Sequence, residues 1–432
     1  MESSPVGFAA YRRLVRDNRN FRRLWLAQIV SELGDWFYTL AIYSLLLELT
    51  GRAQAVGLAV VLQVLPQSFI GPVAGVLNDR ISRKTVMIGA DIARVIIVAG
   101  MLLVRTPETV WLVYPLLLLE TLGAAFFEPA RSSVIPNITA EEAVIAANTL
   151  SSTTWSFNLA VGATLGGVVA AVLGRDVVFA LNALSFLISA ALIAGMRFEE
   201  PHLNGAAPYR ARDVVNFAPF LEGLRYMKRD ARLLATVCVK AGIGVMGANN
   251  VILPILGARE FAPHLGGLDP QRAGMLGMSI LMGARGVGAL LGPLMSARWG
   301  GNNRRRLRLG IVFGFLAAAG GYVGLGTSPF LWLACVGVAV SHMGGSTNWV
   351  FSTTLLQFQT DDRFRGRVFS ADMGLCVLTI AISSYVAGVA IDYGTPARVT
   401  SVWTGLAMLV PATAWGLALR LWKKPEASGG HS

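Results

Sequence analysis

The residues best suited to chemistry in this chain are polar side chains inside its first long apolar run. Four of them share one helix face, because they follow at i, i+4, i+7 and i+11: Gln28, Glu32, Asp35 and Thr39. If that helix begins near residue 21, the two carboxyl groups lie roughly 16–21 Å along its axis, since each residue adds about 1.5 Å. Such a depth is near the midplane of a bilayer, where a carboxylate is costly unless it is hydrated, paired or protonated.

This polar stripe has one functional interpretation and two structural ones. A carboxyl group that changes its protonation state near neutral pH can carry a coupling proton. We therefore expect the stripe to face a central cavity in which Glu32 or Asp35 exchanges protons. The alternatives are a polar contact with a neighbouring helix and a tight-turn role beside Gly34.

Two further acids lie in the fourth apolar run. Glu120 is in the middle of the run and is a second candidate for binding a proton or a cationic substrate. Glu128 immediately precedes Pro129 near the end of the run. We expect Glu128 to order a kinked helix terminus rather than to bind a ligand, because proline disrupts the helical hydrogen bonds around it.

Two cations also fall inside apolar runs without an obvious local partner, Lys240 and Arg285. Either could pair with one of the candidate acids, Glu32, Asp35 or Glu120, or bind an anionic substrate. The Arg285 face also carries three methionines, which suit either a tolerant drug site or a stripe facing lipid or the protein core: Met275, Met278 and Met282.

The tenth apolar run has its own polar face, with the same spacing as the first: Ser341, Gly345, Asn348 and Ser352. Asn348 is the candidate cavity residue of this face. The alternative is that the small residues let two helices approach closely. His342 lies roughly 100° from Ser341 around the helix and is either a hydrogen-bonded packing residue or a proton relay.

The elements that position these residues are predicted to be membrane-spanning helices. The chain is 54% hydrophobic and 14% charged, with a mean hydropathy of +0.56, which a soluble protein of 432 residues could not cover. A spanning helix needs roughly 20 apolar residues. We predict twelve spans, at residues 22–49, 55–77, 85–104, 109–128, 143–173, 177–196, 232–257, 271–298, 308–326, 329–352, 366–391 and 399–421.

The distribution of positive charge predicts the orientation of these spans. Of 37 Lys and Arg residues, 28 lie in the termini and loops on one side or at the adjoining span ends, 6 in the same places on the opposite side and 3 deep within spans. Because positive charge concentrates on the cytoplasmic side, both termini are predicted to be cytoplasmic. This placement accounts for the net charge of +12 without a nucleic-acid partner.

Two halves of the chain carry a similar basic turn. The segments Gly71–Gly89 and Gly292–Gly310 both begin Gly-Pro, contain paired cations and end in Gly. Such a repeat at half the chain length is typical of a membrane transporter. The predicted domains are a cytoplasmic N-terminal segment, a six-helix bundle, a linker with an amphipathic helix, a second six-helix bundle and a cytoplasmic tail, at residues 1–21, 22–196, 197–231, 232–421 and 422–432. The linker helix either lies on the membrane surface or packs as an ordinary linker helix.

The first copy of the turn carries residues suited to a cytoplasmic gate. Asp79 can accept hydrogen bonds at a helix N-terminus, and the cations around it can pair with acids on neighbouring loops. An acid and a base three residues apart on the next helix can form a local ion pair. The predicted gate motif is Gly75, Asp79, Arg80, Arg83, Lys84, Asp91 and Arg94.

With its Gly-x-x-x-Asp-Arg-x-x-Arg-Lys turn after the second span, the chain resembles the major facilitator superfamily. Five further motifs resemble its drug:proton antiporter branch, which holds macrolide-efflux and enterobactin-exporter proteins; they begin at Ser31, Phe127, Ala147, Glu222 and Arg365. The span 5 motif departs from the branch, since Ala163 stands where proline is usual, which weakens the inference of proton antiport.

The resemblance implies an all-α membrane protein of twelve transmembrane helices in two six-helix bundles. It also implies proton-coupled efflux of a hydrophobic or amphipathic small molecule, such as a drug or siderophore, by alternating access. An uptake permease or a lipid flippase of the same fold is the alternative. We expect no enzymatic activity and no cofactor, because the sequence has no His-Glu-x-x-His helix, Cys-x-x-Cys pair or Walker loop.

The expected partners are a small-molecule substrate, protons and membrane lipids, and the expected state is a monomer. The expected location is the plasma membrane, which is the inner membrane if the host is a Gram-negative bacterium.

Overall fold

The long apolar runs form helices because backbone groups in lipid can hydrogen-bond only to one another. A computed structural model describes residues 8–78, 80–203, 225–228, 230–262, 269–300 and 303–421, and no β-strand occurs among them. The first seven helices are α1 Phe8–Asp17, α2 Arg19–Thr50, α3 Ala53–Asn78, α4 Arg83–Gly100, α5 Val113–Ile138, α6 Val144–Leu173 and α7 Arg175–Ala194. The others are α8 Ala231–Gly244, α9 Asn249–Ile255, α10 Pro270–Gly300, α11 Arg304–Thr327, α12 Leu331–Gln359, α13 Asp362–Asp392, α14 Ala397–Ala407 and α15 Leu409–Leu421.

Short helical segments of other types extend several of these helices. One 3₁₀ turn follows α4, and others precede α5 and α6, at Met101–Leu103, Val110–Leu112 and Glu141–Ala143. A 3₁₀ turn at Val245–Ala248 joins α8 to α9, and a π-helical segment at Leu256–Glu260 follows α9. A further turn lies at Pro201–Leu203. The predicted seventh span is therefore one helical path that departs from α-helical winding in two places, the 3₁₀ turn and the π-helical segment.

The helices occupy the places of the predicted spans in order. Ten of the described helical segments are long and apolar enough to cross a membrane. The places of predicted spans 1 and 10 are taken by α2, with 32 residues, and α12, with 29 residues. Both are long enough to cross a bilayer. They are not among the ten because the two polar stripes make them less apolar than those segments. The fold is an all-α membrane fold.

The fifth helix is longer than the predicted span. The apolar run suggested an end near residue 128, whereas α5 continues to Ile138 through Pro129 and Pro136. Proline leaves carbonyl groups unpaired near the end of a helix. Donors from other segments also reach carbonyl groups in the last turns of α5, because Asn18 Nδ2 donates to the Ile138 carbonyl and Arg83 Nη1 to the Ser133 carbonyl at 3.0 Å.

Capping residues fix where the long helices begin and end. The Asn18 side chain accepts a hydrogen bond from the Phe21 N–H at 2.9 Å and starts α2. Gly51 ends the same helix with a φ of 65°, a left-handed conformation that glycine adopts without a steric penalty. Ser82 caps the start of α4 through the Thr85 N–H at 3.2 Å.

Contacts among the helices divide the chain into two compact units. The first comprises Met1–Asn216 and Leu253–Gly286, and the second Phe217–Ile252 and Val287–Ser432. The predicted halves follow chain order instead, so their bounds stay a prediction. In the first unit, one core joins α1, α2, α4, α5 and α6 through buried apolar side chains that include Leu14, Phe21, Met87, Phe127 and Ala147.

A very close crossing between α2 and α7 lies within the first unit. A Cβ atom on Gly34 would stand 2.4 Å from both Asn182 Oδ1 and Ser185 Oγ, so only glycine fits there. Since Gly34 immediately precedes Asp35, this crossing fixes the rotation of α2 about its axis at the polar stripe.

The second unit has a core of its own, which includes the last described residues of the linker. Met227 is buried against Leu233 and Val237 of α8 and Leu356 of α12. Tyr226 stacks on Phe364 with ring centroids 4.3 Å apart. Residues 225–228 therefore pack into the core of the second unit. Most of the predicted amphipathic stretch lies outside the described residues, so both interpretations of the linker helix stay predictions.

We expect Gly34→Leu to destabilise the protein, because the larger side chain must displace Asn182 and Ser185. Overpacking of this kind costs about 1–3 kcal/mol. Gly89→Leu is the matched control, since Gly89 is an exposed helical glycine whose added Cβ meets no atom within 4 Å. Thermal unfolding of the detergent-purified variants measures the difference. Equal melting temperatures for the two variants would contradict the close crossing.

Candidate functional site

The polar stripe of α2 turns its first acid towards α6. The Glu32 carboxylate accepts a hydrogen bond from Gln28 Nε2 at 2.8 Å and another from Asn158 Nδ2 at 3.0 Å. Gln28 and Asn158 are buried, with 2% and 1% of their surfaces exposed. The predicted helix face is therefore correct for Gln28 and Glu32, and Asn158 is a partner that the sequence analysis missed.

Gln28 also connects Glu32 to Arg131 of α5. Its Oε1 accepts from Arg131 Nη1 at 3.0 Å, while its Nε2 also donates to the Ser151 carbonyl at 3.0 Å. Arg131 in turn forms an ion pair with Glu128 at 2.8 Å. Glu128 thus pairs with Arg131 inside α5, and not at a kinked helix terminus as expected, because α5 continues through Pro129 to Ile138.

The second acid of the stripe lies in a different environment. Asp35 Oδ1 is buried and has no hydrogen-bond partner among the described residues. Glu120 of α5 and Arg94 of α4 lie within electrostatic range of the Asp35 carboxyl group. The buried hydroxyl group of Tyr38 lies within range of both acids, and the sequence analysis did not single it out.

Asp91 and Arg94 form the predicted ion pair, three residues apart on α4. Both are buried, and the Arg94 guanidinium also stacks on aromatic rings, 4.8 Å from the Phe127 centroid and 4.1 Å from that of Phe186. The sequence analysis grouped this pair with the cytoplasmic turn. The structure brings it within electrostatic range of Asp35 instead, because it lies two to three turns into α4.

These groups make an acidic cluster in the first unit, defined as Glu32, Asp35, Asp91, Glu120 and Arg94. Its four carboxyl groups face one guanidinium group, and the nearby Arg131 is already paired with Glu128. An uncompensated charge at such depth is costly. The cluster therefore favours bound protons or a bound cation, which would neutralise the excess carboxylates.

The second unit contains a buried ion pair whose two charges cancel. Lys240 of α8 forms an ion pair with Asp372 of α13, and their side chains are 2% and 0% exposed. The ammonium group also lies over Trp349, 4.6 Å from the ring centroid. The predicted pairing of Lys240 with Glu32, Asp35 or Glu120 is thus wrong.

The partner of Lys240 was missed although the sequence carried a signal for it. Asp372 is an acid inside the apolar run of the eleventh predicted span, and a carboxylate there needs a partner. The pairing could not be predicted, because Asp372 lies 132 residues from Lys240 in the sequence.

The remaining candidates in the apolar runs are packed among helices. Arg285 Nη1 lies 3.8 Å from Met282 Sδ, and its charge is within range of the Tyr43 hydroxyl group. Met275, Met278 and Met282 are at most 5% exposed, which agrees with a core-facing stripe.

Asn348 and His342 of α12 are also buried. With its amide oriented to satisfy both polar atoms, Asn348 donates to the Ile311 carbonyl and accepts from the Phe315 N–H, each at 3.1 Å. This contact joins α12 to α11. It agrees with the alternative interpretation of the α12 polar face, in which that face packs against a neighbouring helix. The His342 ring packs edge-on against Tyr322 at 6.2 Å.

The basic turn after α3 is held by carbonyl groups and one acid. Arg83 Nη1 donates to the Ser133 carbonyl at 3.0 Å and Lys84 Nζ to the Met196 carbonyl at 2.7 Å. Glu200 accepts from Ser82 Oγ at 2.6 Å and from the Arg83 N–H at 2.7 Å, which caps α4.

The other gate residues are only partly described. Gly75 lies within α3 and Arg80 in the turn that follows it, whereas Asp79 lies outside the described residues. Glu141 and Glu142, two acids on a neighbouring loop that could pair with the cations of the turn, lie in the short turn before α6. Glu200 was not predicted, because it follows the last helix of the first predicted bundle in an unpatterned segment.

Comparison with known proteins decides the family. A family model described as Major Facilitator Superfamily matches residues 24–384. The chain belongs to this superfamily. It is therefore related to transporters of small molecules, and its membrane helices are those of a multi-pass transporter.

The most similar relatives of this superfamily member include efflux proteins. Macrolide efflux protein A of Streptococcus pyogenes is 25% identical over 372 residues, which cover 84% of this chain and 87% of the relative. The Bacillus subtilis protein BacE, which is named as a candidate bacilysin exporter, is 26% identical over 83% of this chain and 86% of the relative. The resemblance to the drug-efflux branch is thereby confirmed.

Solved structures of other transporters share the fold of this superfamily member. The nucleoside transporter NupG matches with a TM-score of 0.70 at 12% identity, over 93% of this chain and 99% of NupG. A POT family transporter in complex with 5-aminolevulinic acid matches with a TM-score of 0.72 at 11% identity, over 94% and 96% of the two chains. At this level of identity, the likeness shows a common fold alone.

Because the Lys240–Asp372 pair is buried in this transporter, we expect either single neutral variant to lower its stability strongly. Lys240→Met or Asp372→Asn leaves one charge uncompensated, at a typical cost of about 3–5 kcal/mol. The double variant should recover most of the loss, since no charge remains. Membrane accumulation and thermal unfolding measure both effects.

The exposed pair Arg105–Asp176, with side chains 59% and 54% exposed, is the matched control. Neutral variants of this pair should change stability little, because water screens both charges. A double Lys240→Met/Asp372→Asn variant less stable than either single variant would contradict the interpretation of a compensating pair.

Proposed function

We propose that this chain exports a hydrophobic or amphipathic small molecule in exchange for protons, by alternating access. The observation that carries the proposal is the acidic cluster, in which two buried carboxyl groups, Asp91 and Glu120, and two partly buried ones, Glu32 and Asp35, share one guanidinium group. A transporter needs groups that gain and lose protons inside the membrane, and carboxyl groups without cationic partners meet that need. Glu32 and Asp35 are the proposed proton carriers, and Glu120 joins them through its proximity to Asp35.

The efflux direction rests on the relatives. Macrolide efflux protein A is named for export, and its similarity extends over most of both chains. Uptake or lipid flipping by the same fold is the competing outcome, and the direction of flux distinguishes the two. The same excess of carboxyl groups also suits a cationic substrate, which would compete with protons for the cluster.

The basic turn after α3 is the proposed cytoplasmic gate. Arg83 and Lys84 bind the carbonyl groups of Ser133 and Met196, so the turn holds the ends of neighbouring helices in place. Unpaired carbonyl groups at a helix end carry partial negative charge, which attracts these cations. We propose that these contacts form in the outward-facing state and are released when the cavity opens inward.

We expect proton coupling to be lost in Glu32→Gln and in Asp35→Asn, because neither amide can carry a proton. Efflux of a lipophilic cationic dye from cells, and dye uptake into inverted vesicles under an imposed pH gradient, measure the coupling. Both variants should accumulate in the membrane but lose gradient-driven transport at least tenfold.

Glu108→Gln is the matched control for these two variants. Glu108 is exposed in a loop, where a hydrogen bond with the Thr106 side chain lowers the pKa of its carboxyl group. Glu108 stays ionised near neutral pH, so its replacement should leave coupling unchanged. Wild-type transport that ignored the pH gradient would sink the antiport mechanism, and full activity in both stripe variants would remove α2 from it.

We further propose that the protein lies in the plasma membrane as a monomer with both termini cytoplasmic. In a background with Cys238, Cys335 and Cys376 replaced by serine, a Glu108→Cys variant should react with an impermeant maleimide added to intact cells. Glu142→Cys, on the opposite side in the predicted topology, should react only after permeabilisation. The reverse labelling pattern would invert the assigned orientation.

A further inference from the structure

An uninterrupted hydrogen-bond path connects the half-exposed Glu128 of α5 to the Glu32 carboxylate. Glu128 Oε2 accepts from Arg131 Nη2 at 2.8 Å, and Arg131 Nη1 donates to Gln28 Oε1 at 3.0 Å. Gln28 Nε2 then donates to Glu32 Oε1 at 2.8 Å. Glu128 is half-exposed whereas Arg131 is largely buried, so the path leads from accessible surface into the protein.

The chemistry of its neighbours determines the orientation of the Gln28 amide. A guanidinium group can only donate and a carbonyl group can only accept. Oε1 must therefore face Arg131, and Nε2 must face the Ser151 carbonyl, from which it lies 3.0 Å. An amide held from both sides in this way offers Glu32 only an N–H donor.

The other side of the Glu32 carboxylate also receives a donor. Asn158 Nδ2 donates to Oε2 at 3.0 Å, so each carboxylate oxygen accepts one amide hydrogen bond. Hydrogen bonds to the charged form of a carboxyl group favour that form. These two hydrogen bonds oppose the cost of burying the Glu32 carboxylate, whereas Asp35 Oδ1 has no partner among the residues that the structure describes.

Few charged groups face Glu32 from the helices packed against it. α5 contributes Arg131 and Glu128, and Asp35 follows on α2 itself. The described side chains of α6 near it are uncharged. Glu128 offsets part of the Arg131 charge, so Arg131 acts on Glu32 both directly and through the hydrogen bonds that it organises.

We propose that Arg131 is a positioning residue that controls proton uptake by Glu32 through the Gln28 amide. The inference rests on the proposed role of Glu32 as a proton carrier. When Arg131 binds Gln28, the amide is held as a donor and Glu32 releases its proton readily. When Arg131 moves away, the amide is freer to turn, and Glu32 retains its proton.

The hydrogen-bond path that ends at Glu32 also passes close to the proposed gate. Arg83 of the basic turn binds the Ser133 carbonyl, two residues beyond Arg131 on the same helix. A displacement of the end of α5 would therefore change the Arg83 and Arg131 contacts together. This gives the protonation of Glu32 a direct mechanical connection to the cytoplasmic turn.

Infrared titration of the purified full-length protein tests this proposal without any knowledge of the substrate. The stretching band of a protonated carboxyl group that disappears in Glu32→Gln reports the proton on Glu32. In both Arg131→Gln and Gln28→Leu, the midpoint of this band should move to higher pH by about one unit, a tenfold change in proton affinity. Arg105→Gln, which removes an exposed ion-paired arginine, is the matched control and should leave the midpoint unchanged.

A double-mutant cycle then distinguishes the amide path from a direct effect of the arginine charge. If Arg131 acts through Gln28, Arg131→Gln should shift the midpoint in the Gln28→Leu background by less than half of its shift in the wild type. A shift of half or more would overturn the proposal. So would an unchanged midpoint in either single variant, or a wild-type protein with no titrating Glu32 band. If Arg131→Gln does not accumulate, Arg131→Met, which also lacks the charge and has no donor, replaces it, and the same criteria apply.

The proposed function fails in a different way. Transport that ignores the pH gradient, together with the expected infrared shifts, would refute antiport and leave the control of Glu32 by Arg131 intact. Proton-coupled transport together with an unshifted Glu32 midpoint would refute the amide path alone.

Discussion

The cost of placing charge in hydrocarbon is the constraint on which the rest of this structure depends. Each ionised group inside a span must find an opposite charge, a hydrogen-bond donor or water, because lipid offers none of these. Lys240 and Asp372 meet the requirement with each other, as do Asp91 and Arg94. In the first unit, Glu32 finds two amide donors, whereas Asp35 Oδ1 has no partner among the described residues. The excess of carboxyl groups over cations there distinguishes a proton-binding site from a structural ion pair.

Local spacing made part of this arrangement predictable. The order of the helices follows from the lengths of the apolar runs, and residues three or four apart on a helix share a face whatever the neighbours are. The Asp91–Arg94 pair and the contact between Gln28 and Glu32 both belong to this class. The resemblance to a known family added the twelve-span topology, which the hydropathy of α2 and α12 would not have established on its own.

Contacts between distant segments could not be predicted in the same way. Asn158 lies 126 residues from Glu32, and Arg131 lies 103 residues from Gln28. Periodicity identifies the polar face of a helix but not the neighbour that meets it. The long extension of α5 beyond Pro129 had the same origin, because donors from α4 and the start of α2 stabilise its last turns. An apolar run marks what the membrane covers, whereas the helix ends where its carbonyl groups lose their partners.

Fold and function place opposing demands on α2. A helix with a polar stripe is less apolar, so it gains less from lipid than its neighbours do. Close contact with protein must compensate, and Gly34 allows α7 to approach at the level of the stripe. Dispersion attraction grows with the number of atoms in contact, and the absent side chain lets Asn182 and Ser185 of α7 pack against the α2 backbone. The same close crossing leaves α2 little freedom to rotate. The glycine that stabilises the least apolar part of the helix therefore also fixes the directions in which Glu32 and Asp35 point, and both properties depend on one missing methyl group.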